Sequence, residues 1–232
     1  MPHEEFSVAG GTVPSMVLLP GWATDGRVFD GLFPGAASVR SGGPLRPEGF
    51  PDRLAAFLDG AARGPVTVVG WSLGGFLAAE FARRHPARVR RLVLIGVRRR
   101  YPAAEVEAVR EALLRDRRAC LSDFYARCFF PSRMRAYRSF RAGLQEEYLR
   151  EMDETALLEG LSFLAANDFP ASGLPGCPVT IVHGVKDVIA PAVEAEALAR
   201  AMARATFHLF PEGPHAAFLD DGFRAAASGS DG

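Results

Sequence analysis

Residues 66–75 read Val-Thr-Val-Val-Gly-Trp-Ser-Leu-Gly-Gly and continue as an alanine-rich run to Arg84. The short apolar run bounded by glycine predicts a strand over Val66–Gly70, buried on both faces. The run after it predicts a helix over Leu73–Arg84, ending before His85-Pro86. Ser72 then sits on a sharp strand-to-helix turn, flanked by Gly70 and Gly74. Small neighbours are needed there because the strained chain passes close by. The turn projects the Ser72 hydroxyl above the sheet, beside the N–H groups that open the helix. A capping serine at a helix start is the bland alternative.

The rest of the chain repeats this alternation. Strand-like runs are Met16–Leu19, Leu92–Gly96, Val179–His183 and Thr206–Phe210, with a weaker one at Ala36–Val39. Helical patterns cover Pro51–Arg63, with Leu54, Phe57 and Leu58 on one side, and Ala192–Ala203. Alternating strand and helix predicts an α/β fold with a mostly parallel central sheet flanked by helices. The 232 residues suit one such unit with an insertion. The stretch before Met16 is too short for a two-strand hairpin. Between Arg98 and about Phe169 no run reads as a strand, and the apolar residues recur at helical spacing. A helical cap over residues 98–169 is expected, inserted in a core made of 1–97 and 170–232. Ser228–Gly232 is small and polar and is expected to fray.

Other classes are set aside by composition. The 27 basic and 27 acidic side chains cancel, so global charge gives no argument for nucleic-acid binding. Cys120, Cys128 and Cys177 are odd in number and not spaced as CxxC, so neither a disulfide framework nor a metal site is expected. No apolar run approaches the roughly 18 residues of a membrane span. The start, Met-Pro-His-Glu-Glu-Phe, carries no signal-peptide pattern, and a cytoplasmic location is expected. The charge is uneven, however. Residues 98–141 hold 12 arginines against 5 acids. Salt bridges to an acidic body would account for this, and so would a docking face for an acidic macromolecule.

A serine hydroxyl needs a base to take its proton. Of the five histidines, His3 lies in the leader, His85 at a helix end and His208 inside a strand. His183 ends a strand. His215 follows the last strand, in the Gly- and Pro-rich loop Pro211-Glu-Gly-Pro-His215, at the carboxyl edge where α/β sheets place their chemistry. It is the expected base, with His183 as its rival. Asp187, in the loop after Val179–His183, is expected to orient it, with Asp168, Asp220 and Asp221 as lesser candidates. A tetrahedral intermediate also needs donors for its oxygen. The Leu73 N–H is one. The Trp22 N–H, in Pro20-Gly21-Trp22-Ala23 after the early strand, is the second. The rings of Trp22 and Trp71, with Phe124, Phe129 and Phe130, are expected to wall the substrate pocket.

Gly70-Trp71-Ser72-Leu73-Gly74-Gly75, Leu19-Pro20-Gly21-Trp22 and the chain order Ser72, Asp187, His215 resemble the α/β-hydrolase superfamily over essentially the whole length. Trp71 beside Ser72, the Gly21-Trp22 pair and the short helical segment are most similar to the pimeloyl-acyl-carrier-protein methyl ester esterases of biotin synthesis. The position before Gly21, usually His in that family, is Pro20. The resemblance implies the α/β-hydrolase fold, a serine carboxylesterase without metal or organic cofactor, and a methyl ester substrate carried by acyl carrier protein. It also implies that the acidic carrier docks on cap arginines. Three alternatives stay open: a small-ester or lactone hydrolase with no protein partner, a relative of the menaquinone-pathway lyase, and a ligand receptor built on a hydrolase body.

Overall fold

The computed structural model describes residues 5–33, 37–172, 174, 176–202 and 205–228. His3, Ala36, Ala203 and residues 229–232 lie outside the described residues. Among the described residues seven strands form one sheet: β1 (Phe6–Ala9), β2 (Met16–Leu19), β3 (Ser38–Ser41), β4 (Val66–Trp71), β5 (Val89–Ile95), β6 (Val179–Gly184) and β7 (Ala205–Phe210). Their spatial order is β1-β3-β2-β4-β5-β6-β7. Among these described strands β1 alone runs antiparallel, paired to β3, with Phe6 opposite Ser41. The reading of the sequence missed β1. The stretch before Met16 is too short for a hairpin with β2, but it pairs with β3 instead. The weak Ala36–Val39 candidate is displaced to Ser38–Ser41.

β4 and β6 are buried at every residue, as parallel strands covered on both faces must be. The covering helices include α1 (Phe50–Ala61) and α2 (Leu73–Arg84). Five more follow β5: α3 (Ala103–Arg115), α4 (Arg117–Phe129), α5 (Met134–Phe140), α6 (Glu146–Glu151) and α7 (Glu154–Ala166). A π-turn, Arg141–Gln145, links α5 to α6. α8 (Ala192–Ala201) and α9 (Phe223–Ser228) complete the chain. Among the described residues between β5 and β6 there is no strand, in line with the sequence pattern.

Two glycines permit the turn at Ser72. A Cβ on Gly70 would lie 2.4 Å from the Gly74 carbonyl oxygen, and one on Gly74 would lie 2.2 Å from the Leu19 oxygen. Either contact is far inside van der Waals distance, so α2 could not start where it does. Parallel strands end together. The loops after β2, β4, β6 and β7 therefore meet at one edge of the sheet, although they come from distant parts of the chain.

Candidate active site

Ser72 joins β4 to α2 with φ 52° and ψ −116°. A non-glycine residue in this region costs about 1–3 kcal/mol and persists only where its surroundings hold it. Here the Ser72 N–H donates to the Ile95 carbonyl at 2.8 Å, and its own carbonyl accepts from Gly75 at 2.9 Å. Leu73 opens α2, so its N–H has no acceptor within the helix. Trp22 follows β2, and Ala23 beside it is left-handed at φ 59°. Among the described residues, Ala23 and Ser72 are the non-glycine positions with positive φ. The strain thus gathers at the two loops expected to present the donors.

Asp187 and His215 meet. The His215 Nδ1–H donates to Asp187 Oδ2 at 2.7 Å. The other carboxylate oxygen of Asp187 accepts from the N–H groups of Ile189 and Ala190, both at 2.8 Å. Burial alone would raise the Asp187 carboxyl. The His215 and His183 imidazoles and the Ala190 N–H outweigh it and hold the carboxyl below its usual range. The rival His183 lies behind this pair, with Nε2 donating to the Ala190 carbonyl at 2.8 Å and 3.4 Å from Asp187 Oδ2. Burial pushes its pKa down, so it stays neutral beside the carboxylate. The other rivals are elsewhere: Asp168 pairs with Arg100, Asp220 with Arg133, and His85 with Asp52.

The expected nucleophile does not touch the expected base in this conformation. Ser72 Oγ lies 3.2 Å from the Tyr101 hydroxyl, and His215 Nε2 is buried with no hydrogen-bond partner among the described residues. Tyr101 was not legible as a site residue. It sits in the segment after β5, and only the fold brings it to Ser72. Burial raises its pKa and keeps its hydroxyl protonated, and either oxygen can donate in this bond. The Arg98 guanidinium lies 5.1 Å from the Tyr101 ring centroid and bonds Glu105, Glu194 and the Ile189 carbonyl. One buried cation therefore ties the Tyr101 segment to the Asp187 loop.

The expected pocket wall is only partly assembled. Trp22 meets Phe124 edge-on at 4.8 Å. Trp71 is instead packed beside His215 and Phe218, and its Nε1–H donates to the His215 carbonyl at 3.0 Å. It braces the loop that carries the imidazole. Phe129 is buried among Tyr137 and Phe140, inside the helical segment. Phe130 is 54% exposed at the end of α4 and faces solvent. Apolar character alone does not tell an inner helix face from a pocket wall. Ser72 itself is only 3% exposed, with Tyr101 from the segment after β5 against its hydroxyl. A cavity of about 1240 Å³ lies apart, lined by Arg27, Arg40, Leu45, Arg46, Arg53 and Met152 among others, and touches none of Ser72, Asp187 and His215. Among the described residues no cluster could hold a metal ion, and no helix is long and apolar enough to cross a membrane.

A strained serine on a strand-to-helix turn and a buried Asp–His pair at the same sheet edge define a hydrolase-type site. The family model for the alpha/beta hydrolase fold matches residues 40–222, and the chain belongs to that family. A hydrolase from Pseudomonas aeruginosa superimposes with a TM-score of 0.80 at 18% identity, covering 97% of this chain and 94% of that one. The chain is 32% identical to the pimeloyl-[acyl-carrier protein] methyl ester esterase of Aromatoleum aromaticum, over 89% of this chain and 92% of that protein. It is 31% identical to the esterase of the same name from Nitrosomonas europaea, over 90% and 91%. Within the fold family, it belongs with these methyl ester esterases.

Proposed function

We propose that the protein is a serine carboxylesterase that hydrolyses the methyl ester of pimeloyl-acyl carrier protein, with Ser72 as nucleophile, His215 as base and Asp187 as its orienter. The observation that carries the chemistry is the 2.7 Å bond from His215 to Asp187, at the sheet edge where Ser72 is held at φ 52°. The substrate is read from relatives of that name, alike over nine-tenths of the chain.

In this reading Ser72 Oγ leaves Tyr101 for the Nε2 of His215 as ester enters. His215 takes the proton while Oγ attacks the ester carbon, and the Leu73 and Trp22 N–H groups hold the oxyanion. The ester C–O bond then breaks, His215 gives its proton to the departing methoxide, and an acyl-Ser72 remains. Water, deprotonated by the same imidazole, attacks that acyl group and releases the free carboxylate and Ser72. No metal or organic cofactor takes part.

Residues 98–169 serve as the cap over a core of 1–97 and 170–232. Much of the cap's positive charge is used internally, as in Arg98 with Glu194 and Arg118 with Glu146. Arg135, Arg138 and Arg141 are exposed, spaced by three along α5 and the π-turn, and make no ion pair among the described residues. Exposed Phe130 and Met134 lie next to them in sequence. An acidic carrier protein fits such a face, and its attached chain would enter between cap and core in the cytoplasm.

The test compares kcat/KM for a carrier-linked dicarboxylate methyl ester with that for a p-nitrophenyl ester of similar length. A strong preference for the carrier-linked ester is expected. Equal values would favour the small-ester hydrolase instead.

A further inference from the structure

The loop after β2 is gripped by the covering helices at three points. Trp22 Nε1–H donates to the Leu157 carbonyl of α7 at 2.9 Å. The Tyr125 hydroxyl of α4 donates to the Ala23 carbonyl at 2.7 Å, and the Tyr148 hydroxyl of α6 donates to Asp25 Oδ1 at 3.0 Å. α4 also reaches the far side of the site, where the Cys128 carbonyl accepts the Ala216 N–H at 2.9 Å, one residue beyond His215.

Ala23 is the unusual member of this loop. At φ 59° its Cβ crowds the backbone, and alanine has no polar side chain to compensate locally. Within the loop the Thr24 hydroxyl donates to the Gly21 carbonyl at 3.0 Å, and the covering helices add a hold from outside. The Ala23 carbonyl is the group that Tyr125 bonds, and the adjoining residue is Trp22, whose ring is fixed by Leu157 and by Phe124. Tyr125 is well suited to the task. It is fully buried, packed edge-on against Phe140 and tilted against Tyr148, and burial keeps its hydroxyl protonated.

We infer that Tyr125 is a positioning residue: by holding the Ala23 carbonyl it keeps Ala23 left-handed and aims the neighbouring Trp22 N–H at the developing oxyanion. The inference rests on the assignment of Trp22 as an oxyanion donor under the proposed function. Without the hydroxyl, Ala23 relaxes toward negative φ and the peptides around Trp22 turn. A hydrogen bond weakens steeply once its angle is poor, and the oxyanion exists only in the transition state and the intermediates on either side of it. The loss therefore falls on kcat rather than on KM.

The experiment measures kcat and KM on a soluble p-nitrophenyl ester for the wild type, Tyr125→Phe, Ala23→Gly and the double variant. Active sites are titrated with a fluorophosphonate, so unfolded protein is not counted. Tyr125→Phe should lower kcat about tenfold, less than the roughly 100- to 1,000-fold of losing a whole donor, with KM within about twofold. Glycine holds positive φ without a side-chain penalty, so Ala23→Gly in the Tyr125→Phe background should recover most of the loss. Wild-type kcat in Tyr125→Phe, or an equal loss in the double variant, overturns the inference. Ser72→Ala is assayed beside them. If it stays active, the triad reading itself fails. If it is inactive while Tyr125→Phe is fully active, only the positioning role fails.

Discussion

Ser72 Oγ is hydrogen-bonded to the Tyr101 hydroxyl at 3.2 Å and not to His215, whose Nε2 has no partner among the described residues. The hydroxyl therefore has two competing partners, and only one of them can take its proton.

Removing the competitor should favour the productive arrangement. A net hydrogen bond is worth about 1 kcal/mol, or roughly fivefold in population. Tyr101→Phe is expected to speed labelling of Ser72 by a fluorophosphonate by up to about fivefold, read by intact mass against time. An unchanged or slower rate would show that Tyr101 does not hold Ser72 back.

Ser72→Ala should abolish ester hydrolysis and the fluorophosphonate adduct together. The alanine stays at φ 52°, and the variant loses only the Tyr101 bond. Its stability should change by no more than about 1 kcal/mol, checked by urea unfolding. Substantial residual turnover in this folded variant would sink the nucleophile assignment.

His183 makes stability depend on pH. Its pKa is lowered in the folded protein, first by burial and further by His215, against the opposing pull of Asp187 and the Ala190 carbonyl. The unfolded chain then binds the proton more readily than the folded one. Stability is complete above the unfolded value of about 6.5 and is lost as pH falls from there toward the folded value. Urea midpoints from pH 7.5 down to 5 should fall for the wild type. The slope contributed by this group cannot exceed about 1.4 kcal/mol per pH unit, and His183→Asn should flatten the curve. Parallel curves for the two proteins would contradict this.

Charge reversal at Arg135, Arg138 and Arg141 should raise KM for a carrier-linked ester by on the order of tenfold. These side chains are exposed, and each surface pair contributes only about 0.2–1 kcal/mol. Small soluble esters should respond little. The effect should shrink in salt, since exposed charges are screened over about 8–10 Å at 0.10–0.15 M. Steady-state kinetics on both substrates at two salt concentrations decide it. Equal responses would leave the arginines without a docking role.

The legible parts of the molecule are those whose signal is local. Met16–Leu19 and Leu73–Arg84 are strand and helix with the boundaries read from their apolar runs and glycines. The turn at Ser72 was readable because Gly70 and Gly74 are needed within two residues of it. β1 was missed because four residues at a sheet edge, with only Phe6 buried, leave almost no periodic pattern. Phe129 and Phe130 were assigned to the pocket from apolar character alone, and their surroundings place one inside the helical segment and the other in solvent.

The chain by itself determined which residue types could do the chemistry, and that the loops bearing them follow parallel strands. Tertiary structure alone decided which groups touch: Tyr101 on Ser72, Tyr125 on Ala23, Trp71 on the His215 carbonyl. The pairs differ in sequence position by 29, 102 and 144. No local propensity acts over such separations, and only the packing of helices onto one sheet edge brings those atoms within hydrogen-bond reach.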